Sequence, residues 1–279
     1  GSYAFYGCSN LQSIDIPEGV HRIGDSAFGF CTNLETVTKK GPARFSGRWP
    51  FHGSTKLSDV SSLVGVDFQK REDGIEWGLC EDAKTLFVKG LGKVVDLPNE
   101  VPWKEKEGSI QSIVLLEGVE SIGIGLFEEM NALMTIDIPA SLVSLNAVQL
   151  SNCTELFSIS VSESNPKFSS EDGVLFNKEK TCLVYYPPAK SGECRIPDGT
   201  TAIQDCAFYR CNRLTSITLP STLSRIGMSA FEDCSRLESV GLPGTLKEIE
   251  YYAFYNCKKL RRINLNSSMM IGLNTFEKT

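Results

Sequence analysis

One spacing constrains this chain before anything else: Cys8 and Cys31 lie 23 residues apart, and Cys211, Cys234 and Cys257 repeat the interval. A fixed period of that length means stacked units rather than one closed core. The apolar positions keep the same phase. Ala4-Phe5 leads to Cys8, Leu11, Ile14 and Ile16-Pro17, then Val20 and Ile23-Gly24; Ala27-Phe28 begins again with Cys31, Leu34 and Val37. Ala207-Phe208, Ala230-Phe231 and Ala253-Phe254 start three further copies, and Thr275-Phe276 opens another. A degenerate pair runs from Leu126-Phe127 to Ile138-Pro139, and from Gln149-Leu150 through Cys153 and Leu156 to Ile159.

In Leu-x-x-Ile-x-Ile-Pro the last two apolar residues alternate with a polar one, as in a strand with one buried face. Pro17, Pro139, Pro220 and Pro243 end it, because proline cannot donate to the ladder. The segment Ile-Gly-x-x-Ala-Phe-x-x-Cys turns the chain back, with the small Ala in a crowded bend and the Phe filling the interior. One such coil cannot bury its apolar row alone, but stacked coils bury it jointly, with strands about 4.8 Å apart. The expected fold is a leucine-rich-repeat solenoid: a curved parallel β-sheet with one short strand per coil, mostly loops and turns on the convex side, and irregular insertions.

The string Ala-Phe-x-x-Cys-x-x-Leu-x-x-Ile-x-Ile-Pro-x-x-Val-x-x-Ile-Gly resembles the BspA-type leucine-rich repeat over residues 1–38 and about 109–279. It departs from that pattern where Met130 replaces Cys and Gln149-Leu150 replaces Ala-Phe. The resemblance implies a secreted or surface protein, of the kind found in Bacteroidetes and some mucosal protists, with adhesion or partner binding as its role. It carries no catalytic residues.

Three segments follow: N-terminal repeats over 1–38, an irregular or modified-repeat segment over 39–108, and C-terminal repeats over 109–279 with a hairpin-like insertion at 162–195. In 39–108, Thr85–Gly90 and Lys93–Pro98 read as short strands joined by a glycine turn. This segment holds all three tryptophans, Trp49, Trp77 and Trp103, which suit either an irregular core or an interface anchor. In 162–195, Gly173–Phe176 and Cys182–Tyr186 read as strands around the turn Asn177–Lys180.

Composition removes several function classes. The net charge of −6 gives no footprint for nucleic acid, and no apolar run reaches the roughly 18 residues that cross a bilayer. Two histidines, His21 and His52, leave little for catalysis or multi-His metal sites. His52 with Cys80 is the one His/Cys pairing in the irregular segment, and no motif surrounds either residue. No C-x-x-C occurs, and Gly90-Leu91-Gly92 lacks the rest of a phosphate loop. No catalytic, metal or cofactor residues are expected. The in-phase cysteines read as a buried column of small thiols; Cys182 with Cys194 could instead bridge the hairpin to the next coil, and Cys80 and Cys206 lie off the repeat position.

The binding expectation has a place. Residues alternating with the buried Ile and Leu should face outward on the sheet: Ser13 and Asp15, Thr36 and Thr38, Thr135 and Asp137, Ser158 and Ser160, Ser216 and Thr218, Ser239 and Gly241, Arg262 and Asn264. Phe157 is the aromatic beside them. Such a small, hydroxyl-bearing face suits an extended extracellular protein or glycan, although Ser and Thr ladders also simply suit a solvated sheet. A spacer that presents another domain is the alternative. Both ends cut into a repeat, so the chain is expected to belong to a longer array. Asn152-Cys-Thr and Asn266-Ser-Ser are glycosylation sequons if the host modifies secreted proteins.

Overall fold

The computed structural model describes residues 1–60, 62, 68–70, 76–80, 84–90, 92–93, 103–123, 127, 130–145, 147–265 and 269–279. The expected strand beyond Lys93, Leu126, and the sequon at Asn266 lie outside them. The fold is a parallel-strand β-solenoid with little helix; the described helical turns are short 3-10 segments, Lys104–Ser109 and Ala147–Leu150. Contacts divide it into two compact units, Gly1–Leu145 with Ile159–Lys167, and Asn146–Ser158 with Phe168–Thr279.

Coil anatomy is clearest in the second unit, where three parallel ladders join successive coils. The first is a four-stranded sheet in the order Gly192–Arg195, Leu214–Thr218, Ser239–Gly241, Arg262–Ile263. It is built from the Ile-x-Ile positions, and Ile217 and Val240 are buried beneath it. The second comes from the residues just before the Gly, which form two-residue strands in addition to the one strand per coil read from sequence. Ala202–Ile203, Arg225–Ile226, Glu248–Ile249 and Met270–Ile271 pair in turn, with Ile203, Ile226 and Ile249 buried. Gly227 lets this ladder close: a Cβ there would stand 2.7 Å from the backbone nitrogen of Asp205 in the preceding coil.

The third ladder runs through the Ala-Phe turn. Ser229 and Asp233 flank Phe231 in the left-handed region, at φ 54° and 61°, and Tyr252 and Asn256 flank Phe254 at 58° and 59°. These reversals aim alternate N–H groups at the next coil: Ser229, Phe231 and Asp233 donate to the carbonyls of Tyr251, Ala253 and Tyr255 at 2.9, 2.7 and 2.9 Å. Each non-glycine left-handed residue costs roughly 1–2 kcal/mol, and the three intercoil bonds with the buried ring offset it. The rings themselves stack, Phe208 on Phe231 at 4.7 Å and Phe231 on Phe254 at 4.9 Å between centroids, matching the strand spacing.

The regular spacing of the cysteines has a polar reason besides the apolar one. Cys234 and Cys257 each donate Sγ–H to the carbonyl of the preceding coil's Phe, Phe208 and Phe231, both at 3.1 Å. Cys31 does so to Phe5 at 2.9 Å. Ser54 and Thr279 stand at the same place and donate their hydroxyls to Phe28 and Phe254, at 2.5 and 2.6 Å. The position selects a small side chain with one donor.

That equivalence extends the repeat further than the sequence analysis does. Phe51 stacks on Phe28 at 5.6 Å with 7° between ring planes, and Leu57 and Val60 are buried in phase. A third coil therefore runs to residue 60, inside the segment read as irregular; Pro50 in place of Ala and Ser54 in place of Cys conceal it. Beyond it, Thr85–Lys89 pairs antiparallel with Glu76–Cys80 and parallel with Ser112–Leu115. Trp103 is buried with Trp77 edge-on at 5.9 Å, and Trp49 is half-buried, so the tryptophans fill an irregular core. In the second unit, Phe168–Glu171, Val174–Asn177 and Cys182–Tyr185 form antiparallel neighbours that lead into the ladder of two-residue strands.

Candidate partner-binding surface

The outward face of the four-stranded sheet is set by register. Glu193, Ser216, Ser239 and Arg262 align across it in one row, and Arg195, Thr218 and Gly241 in the next. Ser216 is half-buried; Thr218, Ser239, Gly241, Arg262 and the adjacent Asn264 are exposed. The rows begin on charges at Glu193 and Arg195, pass through small hydroxyl-bearing residues, and reach Arg262. Glu193 and Arg195 escape the sequence pattern because the insertion interrupts the period just before them. The signal was present: Cys194-x-Ile196-Pro197 repeats the alternation and closing proline of the strands that end at Pro17, Pro139, Pro220 and Pro243.

In the first unit the same positions divide. Ser13 and Asp15 are exposed and pair in register with Thr36 and Thr38, both half-buried. Thr38 donates its hydroxyl to Asp15, and Lys40 stands 3.8 Å from the same carboxylate. Thr135, Asp137 and Ser160, expected on the open face, are buried. The turn around residues 51–54 of the third coil covers them: Phe51 meets Phe87 of the sheet at 5.9 Å. His52 Nδ1 and the Gly53 N–H reach Asp137 Oδ1 at 3.0 and 2.9 Å, and His52 Nε2 lies 3.4 Å from Ser160 Oγ. A carboxylate oxygen can only accept, so Nδ1 carries the proton. Thr135 donates to Ser112 at 2.8 Å beneath the same cover.

Asp137, His52 and Ser160 thus follow the order of an acyl-transfer triad, but all three are less than a tenth exposed. The group fastens a turn to a sheet. The weighed pairing of His52 with Cys80 gives way to His52 with Asp137.

Phe157 and Ser158, half-buried, belong to the second unit. Phe157 lines a cavity of about 580 Å³ alongside the strand Gly192–Arg195 and the hairpin. Apolar lining comes from Val174, Phe176, Leu183 and Tyr186, while Glu171, Asp172, Glu193 and Arg195 contribute charge. Glu171 is taken by Lys180 at 2.6 Å, and Lys190 Nζ donates to the Asp172 carbonyl at 2.6 Å.

Three of the thiols are chemically quiet. Burial pushes Cys153 and Cys194 up to about 12 and Cys206 to about 11, which leaves little nucleophilic thiolate. Among the described residues no cysteine is disulfide-bonded, Cys182 and Cys194 included. Among the same residues no group of three or more His, Cys, Asp or Glu side chains could hold a metal ion, and no helix is long and apolar enough to cross a membrane.

Comparison with known proteins follows the coils. A profile described as the BspA type leucine rich repeat region matches in six copies, over residues 1–67, 105–178 and 184–279. A search of curated proteins finds no match. Among solved structures, the pneumococcal vaccine antigen PcpA is 23% identical, covering 94% of this chain and 47% of its own, with a TM-score of 0.43. A leucine rich cell surface protein from Faecalibacterium prausnitzii is 24% identical, with 93% and 74% covered and a TM-score of 0.49. A leucine-rich repeat protein from Bacteroides ovatus is 22% identical, with 100% and 79% covered and a TM-score of 0.28. This chain spans about half the length of the pneumococcal antigen. Six matched copies and the Phe, Cys and Gly positions that join one coil to the next give a single conclusion: the chain belongs to the BspA-type leucine-rich-repeat family.

Proposed function

We propose that this chain is a non-enzymatic binding module of a secreted or cell-surface protein, and that it recognises a protein partner through the outward face of the sheet Gly192–Ile263. One observation carries the reading: the rows Glu193, Ser216, Ser239, Arg262 and Arg195, Thr218, Gly241 stand in fixed register, and all of them but the half-buried Ser216 are exposed. The small side chains let a partner approach the backbone, and the charges at either end fix its register. Thr36, Asp15 and Ser13 give the first unit a smaller face of the same kind.

The test is label-free binding of the purified chain to immobilised extracellular-matrix proteins, mucins and a glycan array, with a Ser216→Arg/Ser239→Arg variant alongside. Saturable binding to a protein, reduced at least about tenfold in a variant of unchanged thermal stability, is the expected result. Binding to glycans alone would replace the protein partner with a carbohydrate. Binding to nothing, or a variant that binds equally well, would favour a spacer.

A further inference from the structure

The strand Gly192–Arg195 is the terminal strand of its sheet, paired only with Leu214–Thr218. Peptide groups along a parallel strand point alternately to its two sides. The Gly192 N–H reaches the Arg213 carbonyl and the Ile196 N–H reaches Thr218, at 3.0 and 3.1 Å. Cys194, in the same phase, also faces that neighbour. Glu193 and Arg195 therefore turn their N–H and C=O groups to the open edge, where no described residue pairs with them. Open edges recruit further strands, and proteins guard them with charge. The exposed side chains of Glu193 and Arg195 provide such a guard. What distinguishes this edge is the cavity of about 580 Å³ lying against it, a size within the roughly 300–1,000 Å³ of ligand clefts.

We propose that this edge captures an extended peptide segment as an added strand, with an aromatic or large aliphatic residue between one basic and one acidic residue. Side chains of an added strand alternate between the two faces. On the inner side, level with Cys194 and Ile196, the central residue enters the space lined by Phe157, Val174, Phe176, Leu183 and Tyr186. On the outer side its two neighbours fall beside Glu193 and Arg195, which select opposite charges in cross-strand positions. Among the described residues Glu193 forms no ion pair, and Arg195 has only a 3.7 Å contact with Asp198, the Arg195 and Asp198 side chains both being more than three-quarters exposed, so both charges remain open to a partner. Main-chain bonds give such a complex its affinity and the alternate pockets its selectivity. The peptide backbone lies in the plane of the sheet, so this site adds an edge to the outward face proposed above and shares only Glu193 and Arg195 with it.

The probes are two fluorescein-labelled peptides, Thr-Thr-Lys-Phe-Glu-Thr-Thr and Thr-Thr-Glu-Phe-Lys-Thr-Thr, one for each strand direction, titrated against the whole chain by anisotropy. One of them should saturate below about 1 mM. N-methylation of alternate amides in one phase should weaken it at least about tenfold, while methylation in the other phase leaves it unchanged. Arg195→Pro removes an edge N–H at a position where an edge strand tolerates proline, and should cost a similar factor. Glu193→Lys leaves the backbone intact and should favour a peptide with its basic residue changed to Glu. Ser239→Arg, two strands away from the edge, should leave peptide binding unchanged, which separates failure of this site from failure of the sheet face. Saturation by neither peptide, or equal response to both methylation phases, would overturn the proposal.

Discussion

Two faces built from the same repeat position differ completely in fate. In the second unit Thr218, Ser239 and Arg262 meet solvent; in the first, Thr135 and Asp137 carry the same alternation and are buried under the turn that bears His52. The pattern Ile-x-Ile tells which residues leave the shared core, but not whether something else covers them. A covered face must find partners for its polar groups, and Asp137 Oδ1 finds a histidine and a backbone N–H drawn from 85 and 84 residues away in sequence, while Oδ2 has no partner among the described residues. An uncovered face carries no such demand, and its side chains are free to be chosen for a partner.

The strongest way to break this contrast is to remove one polar group from each face. Asp137→Ala strips His52 Nδ1 and the Gly53 N–H of their acceptor in a buried setting, and should cost the first unit about 3–5 kcal/mol. Ser239→Ala on the open face should stay within about 0.5 kcal/mol. Urea denaturation followed by tryptophan fluorescence and circular dichroism reads both; equal losses would mean that the two faces are not different in kind.

Alkali should act next, through the second unit. Burial raises the thiols of Cys153, Cys194 and Cys206 to between about 11 and about 12. A raised value means that the folded state favours the protonated thiol. That stabilisation is fully present below the unfolded value near 8.5–9 and fades as pH rises toward the folded values. We expect roughly 2–3 kcal/mol to be lost by pH 11 from the fully buried Cys153 alone, seen as faster hydrogen exchange at the Phe231 and Phe254 amides. Unchanged exchange there between pH 9 and pH 11, after correction for the intrinsic rate, would contradict it.

The smallest effect tests what the two units share. Cys234→Ala removes the donor to the Phe208 carbonyl and should cost about 1 kcal/mol, whereas Cys234→Ser should recover most of it, since Ser54 already occupies that place in the first unit. Thermal unfolding in which Ser is no better than Ala would reduce the position to volume alone.

These differences also mark what was legible in the sequence. The 23-residue phase, the Phe column, the Ile-Pro strand ends and the Ile-Gly step are local and repeat, so they could be read directly. The third coil was hidden because one donor, Ser54, replaced another, and a pattern matched on residue names does not see hydrogen-bonding equivalence. The strand Gly192–Arg195 was hidden by an insertion that reset the spacing. The burial of Asp137 depends on a partner 85 residues distant, which no local periodicity encodes. Of the candidate surface, the rows from Ser216 to Arg262 were readable; the charged edge that begins them was not.

The turns at the Phe positions have a directional consequence. Phe5, Phe28, Phe208, Phe231 and Phe254 all donate their N–H to the coil that follows, never to the one before. Peptide dipoles along this side of the stack therefore add, with the amide end pointing toward the C-terminus, opposite to the sense of an α-helix. Along the main chain of these turns each coil accepts from its predecessor and donates to its successor. An array of such coils is a one-way street: a new coil, or a second array meeting it end-on, fits only head to tail, because reversing it would set amide against amide.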